Sequence, residues 1–322
     1  MARFLFSRFL QSLLVLFLVY TGTFWLLMAA PGDPFIGERN PPAAVRSAIA
    51  NRYGLEYLAL SPQERAAMAP LTKAGYMSKA YGIYVQRLVT GNAPTVRYEN
   101  WTVNQVIAAS LPVSVSLGSF ALLIALWLGV AAGTVGAITK GRWPDMALTV
   151  LTLFGVSLPT FVIGSVLLML LGVLFPLLPA TGWGTFRQLI LPAFTLALFF
   201  LAYIARLTRV SVLDVLSADF IRTARAKGLA ENQVISQHVL RNASLPVLSY
   251  LGPAAANVLT GSFVVEKLFG IPGLGTHFVN SCLNTDIPLV LGAVMVYTAL
   301  VVFFNFLVDL AYAFVDPRIS FH

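Results

Sequence analysis

The sequence predicts an all-α polytopic membrane protein with six transmembrane helices. Hydrophobic residues make up 58% of the 322 residues and charged residues only 11%, against roughly 25% charged in ordinary soluble domains. Several apolar runs reach the roughly 20 residues that a membrane-spanning helix needs. The net charge of +8 comes from Lys and Arg that form no nucleic-acid motif, and orientation in the membrane explains much of it.

The first apolar run, Phe9–Ala30, follows a basic start at Arg3 and Arg8. A cleaved signal peptide is the alternative, but its apolar core is typically about 7–15 residues long, and this run is longer. We interpret residues 1–30 as a cytoplasmic start followed by an uncleaved first transmembrane helix.

Residues 31–103 form one long polar segment, which we expect outside the membrane. The stretches Asn40–Arg52 and Ser61–Met68 are weakly helical, and Lys79–Val89 is amphipathic with Tyr84 and Leu88 on one side. These patterns favour a partly ordered cap over the outer mouth, with a loose connector as the alternative.

Residues 104–322 hold the core, with five further spans. The third span of the chain is long enough to be tilted or broken at Ser157-Leu-Pro159. The predicted spans are Asn104–Ile138, Asp145–Leu178, Gln188–Ala205, Leu245–Phe269 and Ile287–Val315.

The positive charges predict the orientation. With the N-terminus inside, the two short outer loops hold only Arg187 and Lys267 as basic residues, and most other basic residues lie on the cytoplasmic side. This is the expected cytoplasmic excess of Lys and Arg. Both termini are therefore expected in the cytoplasm.

Several classes of chemistry lack their motifs. There is no G-x-x-x-x-G-K-[ST] phosphate loop, no H-E-x-x-H and no G-x-S-x-G, so we expect no catalytic residues and no ATP site of that kind. His238, His277 and His322 are far apart in sequence, and Cys282 is the only cysteine. We therefore expect no metal site and no intramolecular disulfide.

Transporters driven by protons or sodium usually carry ionisable residues near the bilayer midplane. Asp309 is the only acidic residue that we place well inside a predicted span, and it lies near the cytoplasmic end. The driving energy is therefore expected to come from elsewhere.

A short polar helix stands between the fourth and fifth spans, in the cytoplasmic segment 206–246. Ser217 can cap its start, Asp219 lies in its first turn, and Arg225 and Lys227 lie in its last turn. Gly228 can adopt the left-handed conformation that ends a helix. We place Phe220, Ala224 and Lys227 on one face, with Ile221 beside it. A docking helix for a soluble partner and a helix lying on anionic lipid remain equally open from the residues alone.

This helix and the residues that follow it resemble a segment of a known protein family. Phe220-Ile-Arg-Thr-Ala-Arg-Ala-Lys-Gly-Leu229 and His238-Val-Leu-Arg-Asn-Ala-Ser-Leu-Pro246 are similar to the cytoplasmic EAA loop of permease subunits in bacterial ATP-binding-cassette importers. Arg222, Thr223 and Ala224 stand where the general loop has Glu-Ala-Ala. This departure, and the longer interval to Leu-Pro, are typical of the B-type permeases for dipeptides, oligopeptides and nickel.

Further motifs extend the resemblance over most of the chain. They follow the family order and spacing, and residues 40–79 match least well. The motifs are Pro31-Gly-Asp-Pro34, Val156-Ser-Leu-Pro159, Leu178-Pro-Ala-Thr-Gly182, Leu191-Pro192, Ala205-Arg-Leu-Thr-Arg209, Phe269-Gly-Ile-Pro-Gly-Leu-Gly275, Asp286-Ile-Pro288, Val308-Asp-Leu-Ala-Tyr312 and Asp316-Pro-Arg-Ile319.

The resemblance implies a type I importer permease fold, and it implies partners. They are two ATP-binding subunits that hold ATP and Mg, a homologous C-type permease, an extracytoplasmic substrate-binding protein and membrane lipid. The implied ATPase-coupling residues are Asp219, Phe220, Arg222, Thr223, Ala224, Arg225, Ala226, Lys227, Gly228 and Leu229. The implied candidates for contact with the binding protein are Pro31, Gly32, Asp33, Pro34, Pro272, Gly273 and Asp286.

Helix-breaking residues within the spans are candidates for hinges or for the wall of the translocation path: Ser157, Pro159, Pro246, Gly252 and Pro253. A proline removes a backbone hydrogen bond, and the freed carbonyl is tolerated where it faces protein or water. Plain kinks that serve packing are the alternative.

The resemblance therefore implies a bacterial inner-membrane permease that imports peptides or related small solutes by alternating access. A permease for nickel or another non-peptide solute is the alternative within the family. An intramembrane enzyme, a stand-alone channel and an exporter are the alternatives from other classes.

Overall fold

The computed structural model describes residues 2–30, 43–60, 62–96, 98 and 100–315. The described chain is helical apart from turns and one isolated antiparallel bridge between Pro94 and Thr102. Its α-helices are α1 Ala2–Ala29, α2 Ala43–Tyr53, α3 Glu56–Ala59, α4 Pro62–Ala67, α5 Pro70–Thr90, α6 Val103–Ile138, α7 Trp143–Ser157, α8 Thr160–Leu167, α9 Phe186–Leu216, α10 Asp219–Ala226, α11 Glu231–Gln233, α12 Leu240–Gly261, α13 Phe263–Phe269, α14 Leu274–Leu283 and α15 Ile287–Val315. Two π-helical turns, Leu168–Leu174 and Val234–Val239, follow α8 and α11.

Four described helices are long and apolar enough to cross a membrane: Phe6–Ala29, Val103–Ile138, Phe186–Leu216 and Ile287–Leu307. Two bent pairs raise the number to six if each pair is one span. The first joins Trp143–Ser157 to Thr160–Leu174 at 109°, and the second joins Glu231–Leu259 to Phe263–Phe269 at 48°. The six predicted spans agree with this larger number.

The fourth span differs from its prediction. The apolar run ends at Ala205, yet α9 continues to Leu216. Hydropathy locates the edge of the membrane and not the end of a helix. The length of a helix that continues past that edge is therefore underestimated.

The chain divides into two compact units, which differ from the three predicted segments. Unit 1 comprises Met1–Pro112 and Thr276–Ala299, and unit 2 comprises Val113–Gly275 and Leu300–His322. The described residues of the predicted outer segment 31–103 thus belong to unit 1.

The core of unit 1 packs the predicted outer segment against the first span. Phe24 of α1 is fully buried, meets Tyr81 of α5 edge-on and lies against Tyr84 of α5 at a tilted angle. Thr21 Oγ1 lies 2.9 Å from the Tyr81 hydroxyl oxygen. The described part of this segment is therefore folded and is not a loose connector.

The core of unit 2 surrounds α9. Apolar side chains of α6, α9, α12 and α13 form one cluster that includes Leu117, Phe200, Ile204, Val258 and Phe269. Glycines allow unusually close approaches: a Cβ added at Gly129 would lie 2.8 Å from Ile204 Cγ2, and one added at Gly155 would lie 2.9 Å from Ala202 Cβ. Small residues at such contacts are the usual device for packing helices within membranes.

Candidate functional site

The start of α10 differs from the prediction. Ala218 is the N-cap and contributes no side-chain hydrogen bond. Ser217 instead ends α9, and its hydroxyl donates to the Asp214 carbonyl oxygen at 2.7 Å. The prediction of Ser217 as a cap for α10 is wrong because a hydroxyl can bond back to the preceding helix as readily as forward.

The end of α10 is as predicted. Gly228 has a φ of +82°, its N–H donates to the Arg225 carbonyl at 2.9 Å, and the Leu229 N–H donates to the Ala224 carbonyl at 3.4 Å. This pair of bonds is the Schellman arrangement, which satisfies carbonyls left over at a helix end. A Cβ added at Gly228 would meet nothing within 4 Å, so only the backbone conformation favours glycine there.

Two apolar residues hold α10 onto unit 2. Ile221 and Ala224 are buried in a cluster with Val212 of α9 and with Val234 and Val239 of the second π-helix. Because π-helical hydrogen bonds run from i to i+5, Val234 and Val239 can lie on one face. The predicted partner face is therefore wrong at Ala224, which faces inward.

The outward surface of α10 is mixed in character. Phe220 keeps 47% of its surface exposed, next to exposed cationic side chains. The exposed residues of α10 and of the turn that follows it are Asp219, Phe220, Arg222, Thr223, Arg225, Ala226, Lys227, Gly228 and Leu229. An exposed aromatic ring among cations, on a helix anchored from behind, is a suitable protein-docking surface.

A two-pronged ion pair joins α10 to α11. Arg225 donates from Nη2 to Glu231 Oε1 at 2.6 Å and from Nε to Glu231 Oε2 at 3.1 Å. The hydrogen bonds to this carboxylate raise the pKa of Arg225 above its usual value. Both side chains are exposed, so the pair orients the turn more than it stabilises the fold.

The predicted hinge residues separate into two groups. Ser157 ends α7, and Pro159 is the N-cap of α8 at the 109° bend, so the predicted break lies where expected. Pro246 and Pro253, with Gly252 between them, lie inside the continuous helix α12. A proline inside a helix removes one backbone hydrogen bond without ending the helix, so the role of these residues as hinges or as part of the pathway wall stays a prediction. Pro246 and Pro253 are seven residues apart, and both are exposed.

The predicted contacts for the binding protein also separate. Pro31, Gly32, Asp33 and Pro34 lie outside the described residues. Pro272 is exposed, whereas Gly273 is buried.

Asp286 is fully buried, and its carboxylate accepts hydrogen bonds from within unit 1. It accepts from the Val96 N–H at 3.1 Å and from the Leu289 N–H at the start of α15 at 3.3 Å. Its side chain does not reach the surface of the described chain, so the prediction of a surface contact at Asp286 does not fit its position.

The sequence analysis missed Glu266. This residue of α13 is fully buried, and its Oε1 accepts from the Ser114 and Ser262 hydroxyls, both at 2.7 Å. The Leu274 N–H donates to Ser114 Oγ at 2.9 Å. The available signal was an acid near the end of the predicted fifth span, four residues after a serine.

Gly273 and Gly275 explain part of the Phe269–Gly275 motif. A Cβ at Gly273 would collide with the Glu266 carboxylate and with Ser114 Oγ. A Cβ at Gly275 would lie 2.5 Å from Phe263 Cα. These glycines let the chain close around the buried acid.

No group of three or more His, Cys, Asp or Glu residues in the described part of the chain could hold a metal ion. His277 is one of the three histidines that we predicted not to bind a metal. Its Nδ1 lies 2.8 Å from the Tyr98 hydroxyl oxygen.

Comparison with known proteins decides the family. The family model described as "Binding-protein-dependent transport system inner membrane component" matches residues 100–321. The chain belongs to this family. It is a multi-pass permease subunit of an ATP-binding-cassette importer, a transport component and not an enzyme on its own, and it works in the membrane with ATPase and other subunits.

Relatives of this permease match over its whole length. The oligopeptide transport system permease protein OppB of Haemophilus influenzae is 40% identical, and the protein of that name in Escherichia coli K12 is 38% identical; both matches cover 100% of each chain. The dipeptide transport system permease protein DppB of Bacillus subtilis is 36% identical over 100% of this permease and 99% of its own length.

A solved structure supports the fold. A crystal structure described as an amino acid ABC transporter with histidines matches at a TM-score of 0.50 and 16% identity. The match covers 65% of this permease and 94% of that chain. Together with the helical spans, it agrees with the predicted type I importer permease fold.

Proposed function

We propose that this permease forms the translocation pathway of an importer for dipeptides or oligopeptides. The observation that carries the proposal is identity of 36–40% over the full length of relatives named for oligopeptide and dipeptide transport. Transport proceeds by alternating access, in which the bundle opens first outward and then inward.

The exposed surface of α10 docks into a cleft of an ATP-binding subunit. Three features support this role: the exposed ring of Phe220, the exposed cations beside it, and the anchoring of α10 through Ile221 and Ala224. ATP and Mg bind to the partner subunits, and closure of the ATPase pair moves α10. Binding must favour one conformation over the other, because a partner with equal affinity for both states shifts nothing.

The remaining partners lie across and outside the membrane. A homologous C-type permease completes the pathway, and a substrate-binding protein docks outside, near Pro272. Both termini are cytoplasmic, which places α10 inside with the ATPases. The excess of Lys and Arg on that side supports this orientation.

Growth tests the solute. The permease is expressed with its neighbouring transporter genes in a leucine auxotroph that lacks its own peptide importers, with trileucine as the only leucine source. We expect growth on trileucine and no growth when the permease gene is deleted. If growth still requires free leucine and nickel uptake is restored, the transported solute is nickel and not a peptide.

Co-purification tests the docking surface. The wild-type permease is expected to retain its ATP-binding subunits in detergent, and Phe220→Ala is expected to lose them. Phe161→Ala is the matched control, since this exposed phenylalanine lies on α8 and away from α10. Equal retention by all three proteins would refute the assignment of α10.

A further inference from the structure

The helix α9 is continuous from Phe186 to Leu216, and α10 begins at Asp219. Its 31 residues give a length of about 46 Å at 1.5 Å per residue, which exceeds the roughly 30 Å of a bilayer core. A capping box at Thr185 and Gln188 closes its far end. A displacement of α10 can therefore pass to α9, to which it is joined through Ser217 and Ala218, as well as to α11 and the second π-helix, which it contacts.

Part of the contact between α7 and α9 is a close approach of small residues. A Cβ added at Gly155 of α7 would lie 2.9 Å from Ala202 Cβ of α9. Such a seam holds helices close together but is not directional. Packed helices joined only in this way can shear along one another.

One contact is directional. Arg209 of α9 donates from Nε to Asp145 Oδ1 at 2.6 Å and from Nη2 to Asp145 Oδ2 at 2.8 Å. Asp145, in the first turn of α7, also accepts from the Gly141 N–H at 2.9 Å, which ties in the turn that follows α6. The aspartate side chain is 7% exposed and the arginine side chain 31%.

The geometry of this pair fixes the position of α9 along α7. A planar guanidinium that donates two bonds to one carboxylate sets both the distance and the angle between its helices. A slide of α9 along α7 would break both bonds while leaving the apolar seam largely buried. The pair therefore resists the one movement that the seam permits.

We infer that Asp145 and Arg209 are positioning residues, which make the adjoining ends of α7 and α9 move as one body when α10 is displaced. The inference rests on the proposed function, because it takes α10 as the point where ATP-driven motion enters. Loss of the pair would let α9 slip, so that ATP is hydrolysed without a matching movement of solute.

The first test measures coupling in the complete transporter, reconstituted with its binding protein in liposomes, with labelled trileucine as the probe. Asp145→Asn and Arg209→Gln are expected to raise the number of ATP hydrolysed per trileucine imported by roughly 2- to 30-fold, the range typical of residues along coupling networks. Arg142→Gln is the matched control, since it removes one exposed cation from the turn before α7.

The exchange Asp145→Arg with Arg209→Asp separates positioning from folding. Because it restores an ion pair with reversed polarity, it should recover part of the coupling lost by either single change. Arg209→Lys keeps the charge but cannot donate two parallel hydrogen bonds to one carboxylate. Its number of ATP hydrolysed per trileucine imported should therefore fall between that of the wild type and that of Arg209→Gln. Equal ratios for Arg209→Gln and Arg142→Gln would overturn the inference.

The second test does not depend on the solute. In a Cys282→Ser background, spin labels at the exposed positions Met146 of α7 and Val210 of α9 report the distance between these helices. We expect one distance in the assembled wild-type transporter, the same without nucleotide and with ATP and vanadate. With Asp145→Asn, we expect the distance to differ between those two conditions.

The two tests also distinguish this inference from the proposed function. A wild-type distance that changes with nucleotide, or an Asp145→Asn distance that does not, would overturn the positioning role whatever the solute is. Absence of trileucine uptake in the wild type would refute the peptide proposal and leave the distance test intact.

Discussion

The helices α10 and α13 have the same local design but opposite environments. Each is short, follows closely on a long helix and is followed by a glycine with positive φ: Gly228 at +82° and Gly270 at +65°. In α10 the charged side chains point outward, and the space around Gly228 is open. In α13 the acid Glu266 is fully buried, and Gly273 and Gly275 further along the chain are closely surrounded.

The difference separates a helix that presents a surface from one that is locked. Two apolar side chains hold α10 in place, and the other residues of the helix are exposed. Hydrogen bonds from Ser114 and Ser262 hold the acid of α13. Similar substitutions should therefore disturb transport at α10 and folding at α13.

The largest expected effect is at Gly275. Because its added Cβ would lie 2.5 Å from the Phe263 Cα, which is backbone, Gly275→Ala should lower the free energy of unfolding by about 3 kcal/mol, the upper part of the usual range for overpacking. Thermal unfolding in detergent measures the loss. Gly82→Ala in α5 is the control, since a Cβ there meets nothing within 4 Å. Equal melting temperatures for the two variants would contradict this account of the motif.

The next effect is at Glu266. Glu266→Ala would leave the buried hydroxyls of Ser114 and Ser262 without this acceptor, and we expect a loss of about 2 kcal/mol in unfolding free energy. Glu266→Gln retains an oxygen for both hydroxyls and should lose less. The same unfolding measurement checks both variants. An alanine variant as stable as the glutamine variant would show that these hydrogen bonds do not lock α13.

Gly228 should affect transport more than folding. Gly228→Val places a β-branched residue at a φ of +82°, which costs about 1–2 kcal/mol, and the strain is relieved if the end of α10 unwinds. We expect trileucine uptake to be lost while the amount of permease in the membrane stays near that of the wild type. Gly228→Asn should keep much of the uptake, because asparagine tolerates this conformation.

Uptake assays paired with immunoblots of membrane fractions measure both quantities for the two Gly228 variants. Normal uptake by Gly228→Val at a normal protein level would mean that the shape of this turn does not matter for coupling.

The smallest effect is expected at Glu231. Glu231→Gln weakens its exposed pair with Arg225, and exposed pairs contribute little to stability. The melting temperature should stay within experimental error of the wild type. A shift as large as that of Glu266→Gln would remove the contrast between the two regions.

The patterns that could be predicted are those with a local cause. Apolar runs located the spans because a bilayer requires a minimum length of hydrophobic helix. Gly228 and Pro159 were predicted correctly because positive φ and a missing N–H act on the residue itself. Pro246 and Pro253 lie inside the continuous helix α12, and their role as hinges or as part of the pathway wall stays a prediction.

The sequence by itself determined the class of protein and the place of the short polar helix α10, since each depends on composition or backbone preference over a few adjacent residues. Only the tertiary structure decided that Ala224 faces inward, that Asp286 is buried, and that Glu266 and Asp145 each have partners far along the chain. The physical reason is that burial and hydrogen bonding depend on which distant segments meet, and a run of neighbouring residues carries no record of that.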